Sequence, residues 1–335
     1  METKAAEYME ALKHGVSQLP VIERAVKEIV DRGVENVYLV GCGGSLAVMS
    51  PLKYILDVTS RLPVYEFNAS EFLAVKPVKF SRKSLVITSS YTGTTKETVQ
   101  AAEFAKSLGA PIIAFVGKLD SPLGHLADYA FANDAVAGVT DSKLIMLYQI
   151  VFNLIRHTDH YPRYDEMMQV LGRLPELLPA VKEAAEERAE RFARVFGEEE
   201  FFITTGAGIC WGEAYSYACC IFEEMQWIKA HPSHAGEFFH GTFEILTGQT
   251  PLLILQGEDR TRSLLDRVIT FARKFTNKVE LIDTRDYELR GVPEDLRGYL
   301  SPLVISAVLS RYSDHLSGFR KHPLSTRRYM FKIDY

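Results

Sequence analysis

The chain is short of several things, and each shortage closes off a class of function. It has only four cysteines, Cys42, Cys210, Cys219 and Cys220, two of them adjacent. Adjacent cysteines rarely bridge each other, so the expectation is reduced thiols in a cytoplasmic protein rather than a disulfide framework. No stretch approaches the roughly 18 consecutive apolar residues of a membrane span. The opening METKAAEYMEALKHG is charged and helical in pattern, with no apolar signal core. Basic residues are outnumbered, 38 Lys and Arg against 43 Asp and Glu, and they form no block and no basic–aromatic alternation. A nucleic-acid partner is therefore not expected. What remains is ordinary globular material: 47% hydrophobic and 24% charged, enough for a real core. At 335 residues the chain has room for one large domain or two of usual size.

Two segments resemble each other. VYLVGCGGS (37–45) and FFITTGAGI (201–209) are both β-branched or aromatic strands running into glycines. The offset from Gly41 to Gly206 is 206 − 41 = 165 residues, and Ser84 at the head of one apolar strand meets Gln249 before another at 84 + 165 = 249. Two matches at one offset argue for two related α/β halves. In the first half, apolar runs near 36–40, 63–67, 84–89, 111–116 and 127–131 alternate with amphipathic helices near 45–58, 94–108 and 140–157. Continuous apolar strands separated by helices predict a parallel sheet covered on both faces, with ligands at the carboxyl ends of the strands.

The most telling turn is Ser89-Ser90-Tyr91-Thr92-Gly93-Thr94-Thr95, between a strand and a helix beginning near Lys96. Helix N-termini attract anions through unpaired N–H groups and the helix dipole. One Ser or Thr there would be only an N-cap. Five serines and threonines in seven positions suit a phosphate with several oxygens to satisfy. The equivalent turn of the second half is Gly257-Glu258-Asp259, whose carboxylates would repel phosphate, so one phosphate site per chain is expected. Gly41-Cys42-Gly43-Gly44-Ser45 lacks both the lysine of a Walker loop and the full dinucleotide fingerprint. It reads either as a tight turn or as a loop presenting Ser45 and nearby N–H groups to a sugar.

The stretch 221–245, IFEEMQWIKAHPSHAGEFFHGTFEI, holds the candidate acid–base chemistry. As part of a helix over 210–228, Glu224 shares an edge with Tyr217, Ile221 and Ile228, at the flank of an apolar face, while Glu223 points further round. A carboxylate at the edge of a core is a candidate general base. His231, His234, Glu237 and His240 match no closed zinc pattern, so no metal is expected.

With these residues in view the chain resembles the SIS (sugar isomerase) superfamily, over nearly its whole length. The 240 − 224 = 16 spacing is similar to the Glu-to-His spacing in the isomerase half of glucosamine-6-phosphate synthases. CCIFEEMQWIKAHPSHAGEFFHG and the tail KHPLSTRRYMFKIDY resemble bacterial fructosamino-acid 6-phosphate deglycases of the fructoselysine and fructoseasparagine type. The chain departs from the synthases at Tyr91 and Thr94, where they carry glutamine and glutamate, and it has no glutaminase domain. The resemblance implies an α/β fold of two tandem SIS-type, doubly wound, flavodoxin-like subdomains with helical linkers. Its boundaries fall at 1–165, a linker 166–198, and 199–335. It implies Glu224 as the proton-shuttling base and His240 as the ring-opening or leaving-group acid–base residue. Sugar phosphate would bind at Gly43, Ser45, Ser90, Tyr91, Thr92, Gly93 and Thr95. The tail residues Arg327 and Arg328 either line the site or pin the tail. The activity implied is a reversed Amadori rearrangement without metal or redox cofactor, in a cytoplasmic homodimer with active sites near the interface. An aldose–ketose phosphosugar isomerase is the alternative. A non-catalytic sugar-phosphate sensor and a dinucleotide-dependent dehydrogenase are disfavoured, the first by Glu224 and His240, the second by the incomplete glycine fingerprint. The leaving amino acid is not legible, although Glu223, Glu237 and Glu258 are candidates to face a lysine.

Overall fold

The computed structural model describes residues 2–133, 135, 137–330, 332 and 333, with side chains from residue 5 onward. Three residues of the tail motif, 331, 334 and 335, lie outside the described residues. The chain divides into two compact units, Met1–Glu176 and Leu177–Tyr335, with the division inside one long helix, Tyr164–Ala184.

The first unit is built on five parallel strands: β1 (Asn36–Gly41), β2 (Val64–Asn68), β3 (Ser84–Ser90), β4 (Ile112–Val116) and β5 (Tyr129–Ala132). Their order is β2-β1-β3-β4-β5. Strands β1, β3 and β4 are buried along their whole length, which is why they read as unbroken apolar runs. Tyr38, Val40, Val86, Ile112 and Ala114 share a core with Phe72, Ala101 and Ala105 of the helices Ala69–Val75 and Lys96–Ser107. The helix Val139–Asp159 is buried from Leu144 to Ile155 without a break and packs against the helices Glu2–Ser17, Leu19–Asp31 and Ser50–Thr59. An apolar surface on every side is what a central helix needs. The helix expected over 45–58 is two, Gly44–Ala47 and Ser50–Thr59, and Pro51 opens the second, where its missing N–H costs nothing.

The second unit repeats the plan with four parallel strands: β6 (Phe201–Gly206), β7 (Lys229–His234), β8 (Leu252–Gln256) and β9 (Val279–Asp283), ordered β7-β6-β8-β9. Adding 165 to the bounds of β1 gives 201 and 206, the bounds of β6. Pro232 sits in β7, an edge strand, where no second neighbour requires its missing donor. In each unit the strand order reverses beside the first strand, between β1 and β3 and between β6 and β8. Loops leaving the carboxyl ends at such a reversal splay apart and open a crevice for ligands. Among the described residues no helix is long and apolar enough to cross a membrane.

Candidate active site

In the first unit the crevice holds the hydroxyl-rich turn. The Ser90 and Thr95 hydroxyls meet at 2.8 Å, Ser90 also approaches Thr92 at 3.5 Å, and Thr94 Oγ1 donates to Thr92 Oγ1 at 2.9 Å. Thr95 is the residue before the helix Lys96–Ser107, yet its side chain makes no capping hydrogen bond. The hydroxyls are thus turned toward one another rather than consumed by the helix end, and a phosphate entering there finds several donors. Gly93 has φ +67°, and a Cβ on it would collide with the Ser121 side chain. Gly93→Ala should therefore distort the turn, costing about 1–2 kcal/mol of stability. It should raise KM for a phosphorylated substrate several-fold, as steady-state kinetics and thermal melting would measure together.

The loop after β1 stands beside this turn, with Thr98 of the Lys96–Ser107 helix reaching Cys42 at 3.9 Å. Gly43 adopts φ +52°, ψ −133°, a conformation essentially restricted to glycine, and it is exposed with open space around it. Ser45 lies in the first turn of the short helix that follows, and Tyr91 is half exposed at the tip of the neighbouring turn.

The corresponding place in the second unit is already filled. Asp259 accepts from the Thr261 hydroxyl at 2.9 Å and from the backbone N–H of Ile209 at 3.4 Å. Glu258 is held by both arms of Arg297, at 2.9 and 2.8 Å. The chain's own carboxylates take up the donors that an anion would need.

Glu224 lies in the second unit on a helix that is not the regular α-helix expected over 210–228. After a single 3₁₀ turn at Gly208–Cys210 and α-helix at Trp211–Ser216, the backbone widens into a π-helix over Tyr217–Met225. Tyr217 and Phe222, five residues apart, bring their rings edge to face at 4.8 Å, and Phe222 stacks on Phe202 of β6 at 4.3 Å. Packing both rings into the core favours the wider i→i+5 winding, a form concentrated at functional sites. The helix ends abruptly: Trp227 has φ +56°, strained for a bulky residue, and Ile228 is buried beyond the helix. Glu223 is exposed, while Glu224 is partly buried.

The tail returns to this helix end. The last helix, Glu294–Arg320, stops at Lys321 in the left-handed conformation, and Pro323 follows. The buried Gln226 donates to the His322 carbonyl at 2.8 Å, and the His322 ring meets Trp227 edge-on at 4.6 Å. Arg327 is then splayed between the carbonyls of Leu324 and Thr326, at 2.8 and 2.9 Å, and the Glu224 carboxylate at 2.7 Å. It both pins the tail and reaches the candidate base. Arg328 stacks over Trp227 at 4.3 Å. Glu223, Glu224, Trp227, Lys229, Arg327 and Arg328 line one open groove of about 760 Å³.

Two of the three histidines are engaged. His231 meets the Thr242 hydroxyl at 3.2 Å. The His234 ring accepts from the Gly236 N–H at 3.1 Å and packs on Trp211, and burial lowers its pKa. His240 closes a 3₁₀ turn, Phe238–His240, and is exposed; among the described residues no hydrogen bond or ring contact reaches its imidazole. Glu237 and Glu258 do not line the Glu224 groove.

Thr94, part of the expected turn, joins the hydroxyl cluster through Thr92. One residue of this region is not among those the sequence singles out. Lys143, from the helix Val139–Asp159, donates to Ser89 at 3.0 Å. Its signal was available: a lone lysine opening the apolar run LIMLYQIVFNLI.

A family model described as the SIS domain matches residues 32–155. The chain is 37% identical to the fructosamine deglycase FrlB of Bacillus subtilis, over 94% of this chain and 97% of that one. It is 26% identical to a fructoselysine 6-phosphate deglycase of Escherichia coli K12, over 98% and 94%. Among solved structures, one titled a putative phosphosugar isomerase from Bacillus subtilis superposes with a TM-score of 0.88 at 38% identity, covering 95% of this chain and all of that one.

Proposed function

The chain belongs to the SIS (sugar isomerase) domain family as a relative of the fructosamine deglycases, and we propose that it cleaves a 6-phosphorylated fructosyl amino acid to glucose 6-phosphate and the free amino acid. The observation that carries this reading is Glu224, a partly buried carboxylate in an open groove, held at 2.7 Å by Arg327 of the returning tail. The hydroxyl turn Ser90–Thr95, with Gly43 and Ser45 on the adjoining loop, takes the 6-phosphate. A sugar held by its phosphate loses its freedom to tumble, which is what a proton transfer between C1 and C2 by one carboxylate requires.

The ketose ring opens with proton transfer by His240. Glu224 removes a proton from C1, giving the 1,2-enaminol, and returns it at C2, so that the C–N bond becomes a C1 imine. Water adds to that imine, the amine leaves, and the C1 aldehyde of glucose 6-phosphate remains. No electrons leave the substrate, because the ketone at C2 is reduced as C1 is oxidised. Arg327 holds the carboxylate in a fixed orientation through the transfer, and Arg328 extends the groove toward the amino-acid portion. The working form of the enzyme in this reading is a homodimer.

The deciding assay incubates the purified protein with the 6-phosphates of fructoselysine, glucoselysine and fructoseasparagine and follows glucose 6-phosphate and free amino acid together. Equal release of both from at least one of them is expected. Interconversion of aldose and ketose phosphates with no amine released from any would replace the deglycase by a phosphosugar isomerase.

A further inference from the structure

Lys143 occupies an unusual position. Every residue of its helix from Leu144 to Ile155 is buried, and the lysine stands at the head of that run. With Tyr91, Phe115, Phe131, Asn133 and Met146 it encloses a cavity of about 10 Å³, room for roughly one water. Its ammonium donates to Ser89 Oγ, and Ser89 is 1% exposed. Among the described residues no carboxylate meets the ammonium. Asp141, two residues earlier on the same helix, is taken by the Tyr8 hydroxyl at 2.6 Å, and His14 of that neighbouring helix meets the Ala132 carbonyl at 2.9 Å. Tyr91 is the other titratable residue on the cavity wall. Lys143 is partly buried, and holding a cation there without a counter-charge costs free energy.

Ser89 immediately precedes the turn whose hydroxyls converge at Ser90, Thr92 and Thr95, and Tyr91 belongs to that turn and to the Lys143 cavity alike. An ammonium can only donate, whereas a neutral amine can also accept. While Lys143 is charged, Ser89 receives its hydrogen bond, and the Ser89 proton is left to point elsewhere. When Lys143 is neutral, that proton can be spent on the amine. We propose that Lys143 is a positioning residue for the phosphate: it is charged when the turn is occupied, and acts through Ser89, whose hydroxyl it turns into a donor toward the bound dianion. This rests on the reading of the turn as a phosphate site. Burial pushes the Lys143 pKa down to about 8, so the empty site straddles the two states just above neutral pH.

A bound dianion favours the charged amine and raises its pKa. Between the ester's own ionisation and about pH 8 affinity should therefore be flat, and it should fall as pH rises past the free-state value of Lys143. The test is calorimetric titration with glucose 6-phosphate at pH 8.5 in two buffers of different ionisation enthalpy. The ester's second ionisation, near pH ~6, is then complete, so it contributes no proton. The wild-type protein should take up about half a proton or more on binding. Lys143→Met should bind about tenfold more weakly at pH 7 and take up essentially none. Lys143→Arg, permanently charged, should bind without proton uptake and without the loss of affinity above pH 8. Unchanged uptake in folded Lys143→Met would overturn the assignment while leaving the phosphate site intact. So would a wild-type affinity that stays flat from pH 7 to 9, a result independent of whether any variant folds. Failure of the wild type to bind glucose 6-phosphate at all would remove the phosphate reading and this inference with it.

Discussion

Glu224→Gln should lose turnover by about three to four orders of magnitude while binding substrate within a few-fold of wild type. The substitution keeps the shape of the side chain and one oxygen for Arg327, now 2.7 Å from the carboxylate, so the tail and the groove have no reason to move. What disappears is the ability to take a proton from C1 and return it at C2. Because that transfer belongs to the transition state, the loss should appear in kcat, with little change in dissociation constant. A second readout isolates the step: in D₂O the wild type should exchange hydrogen between solvent and the substrate carbons, and the variant should not. Glu244→Gln is the control. That residue is exposed and does not line the groove, so an effect beyond a few-fold is not expected. A Glu224→Gln enzyme within tenfold of wild type would move the proton transfer to another residue.

What could be read from the sequence was whatever depends on short-range pattern. Strands β1, β3 and β4 were legible because a strand buried on both faces has to be apolar throughout. The repeat was legible because β6 keeps the length and glycine ending of β1 at a constant offset. The π-helix was not. Trp211, Ala214, Ala218, Phe222 and Met225 satisfy a 3.6-residue period well enough to hide the alternative, and the clue lies only in the five-residue spacing of Tyr217 and Phe222. The sequence alone gives Arg327 no place, since 327 − 224 = 103 residues separate it from the carboxylate it holds. Its position follows from the left-handed stop at Lys321, Pro323 and the seat of His322 against Gln226 and Trp227. For the second unit the sequence offers only the repulsion of Glu258 and Asp259 toward an anion. The geometry adds that Asp259 itself accepts from the Ile209 N–H and the Thr261 hydroxyl.

The double substitution Ser90→Ala with Thr95→Val separates anchoring from chemistry. The two hydroxyls bond each other at 2.8 Å, so removing both leaves neither without its partner. The Gly93 N–H loses Ser90 Oγ but keeps the Ser90 carbonyl at 3.0 Å. The fold should accordingly lose at most about 1 kcal/mol, since replacing both members of a hydrogen-bonded pair is nearly neutral. A phosphate dianion has no such compensation. Two charge-assisted hydrogen bonds at about 1.5–3 kcal/mol each predict a fall in kcat/KM of some two to four orders of magnitude. Part of that fall should appear in kcat, because the anchor is remote from C1 and its binding energy serves to orient the reacting carbons. The comparison that decides is with the unphosphorylated fructosyl amino acid, on which wild type and double variant should be equally slow. If the double variant keeps the wild-type preference for the phosphorylated substrate, the phosphate is held elsewhere, and the convergence of hydroxyls at Ser90, Thr92 and Thr95 serves only the turn.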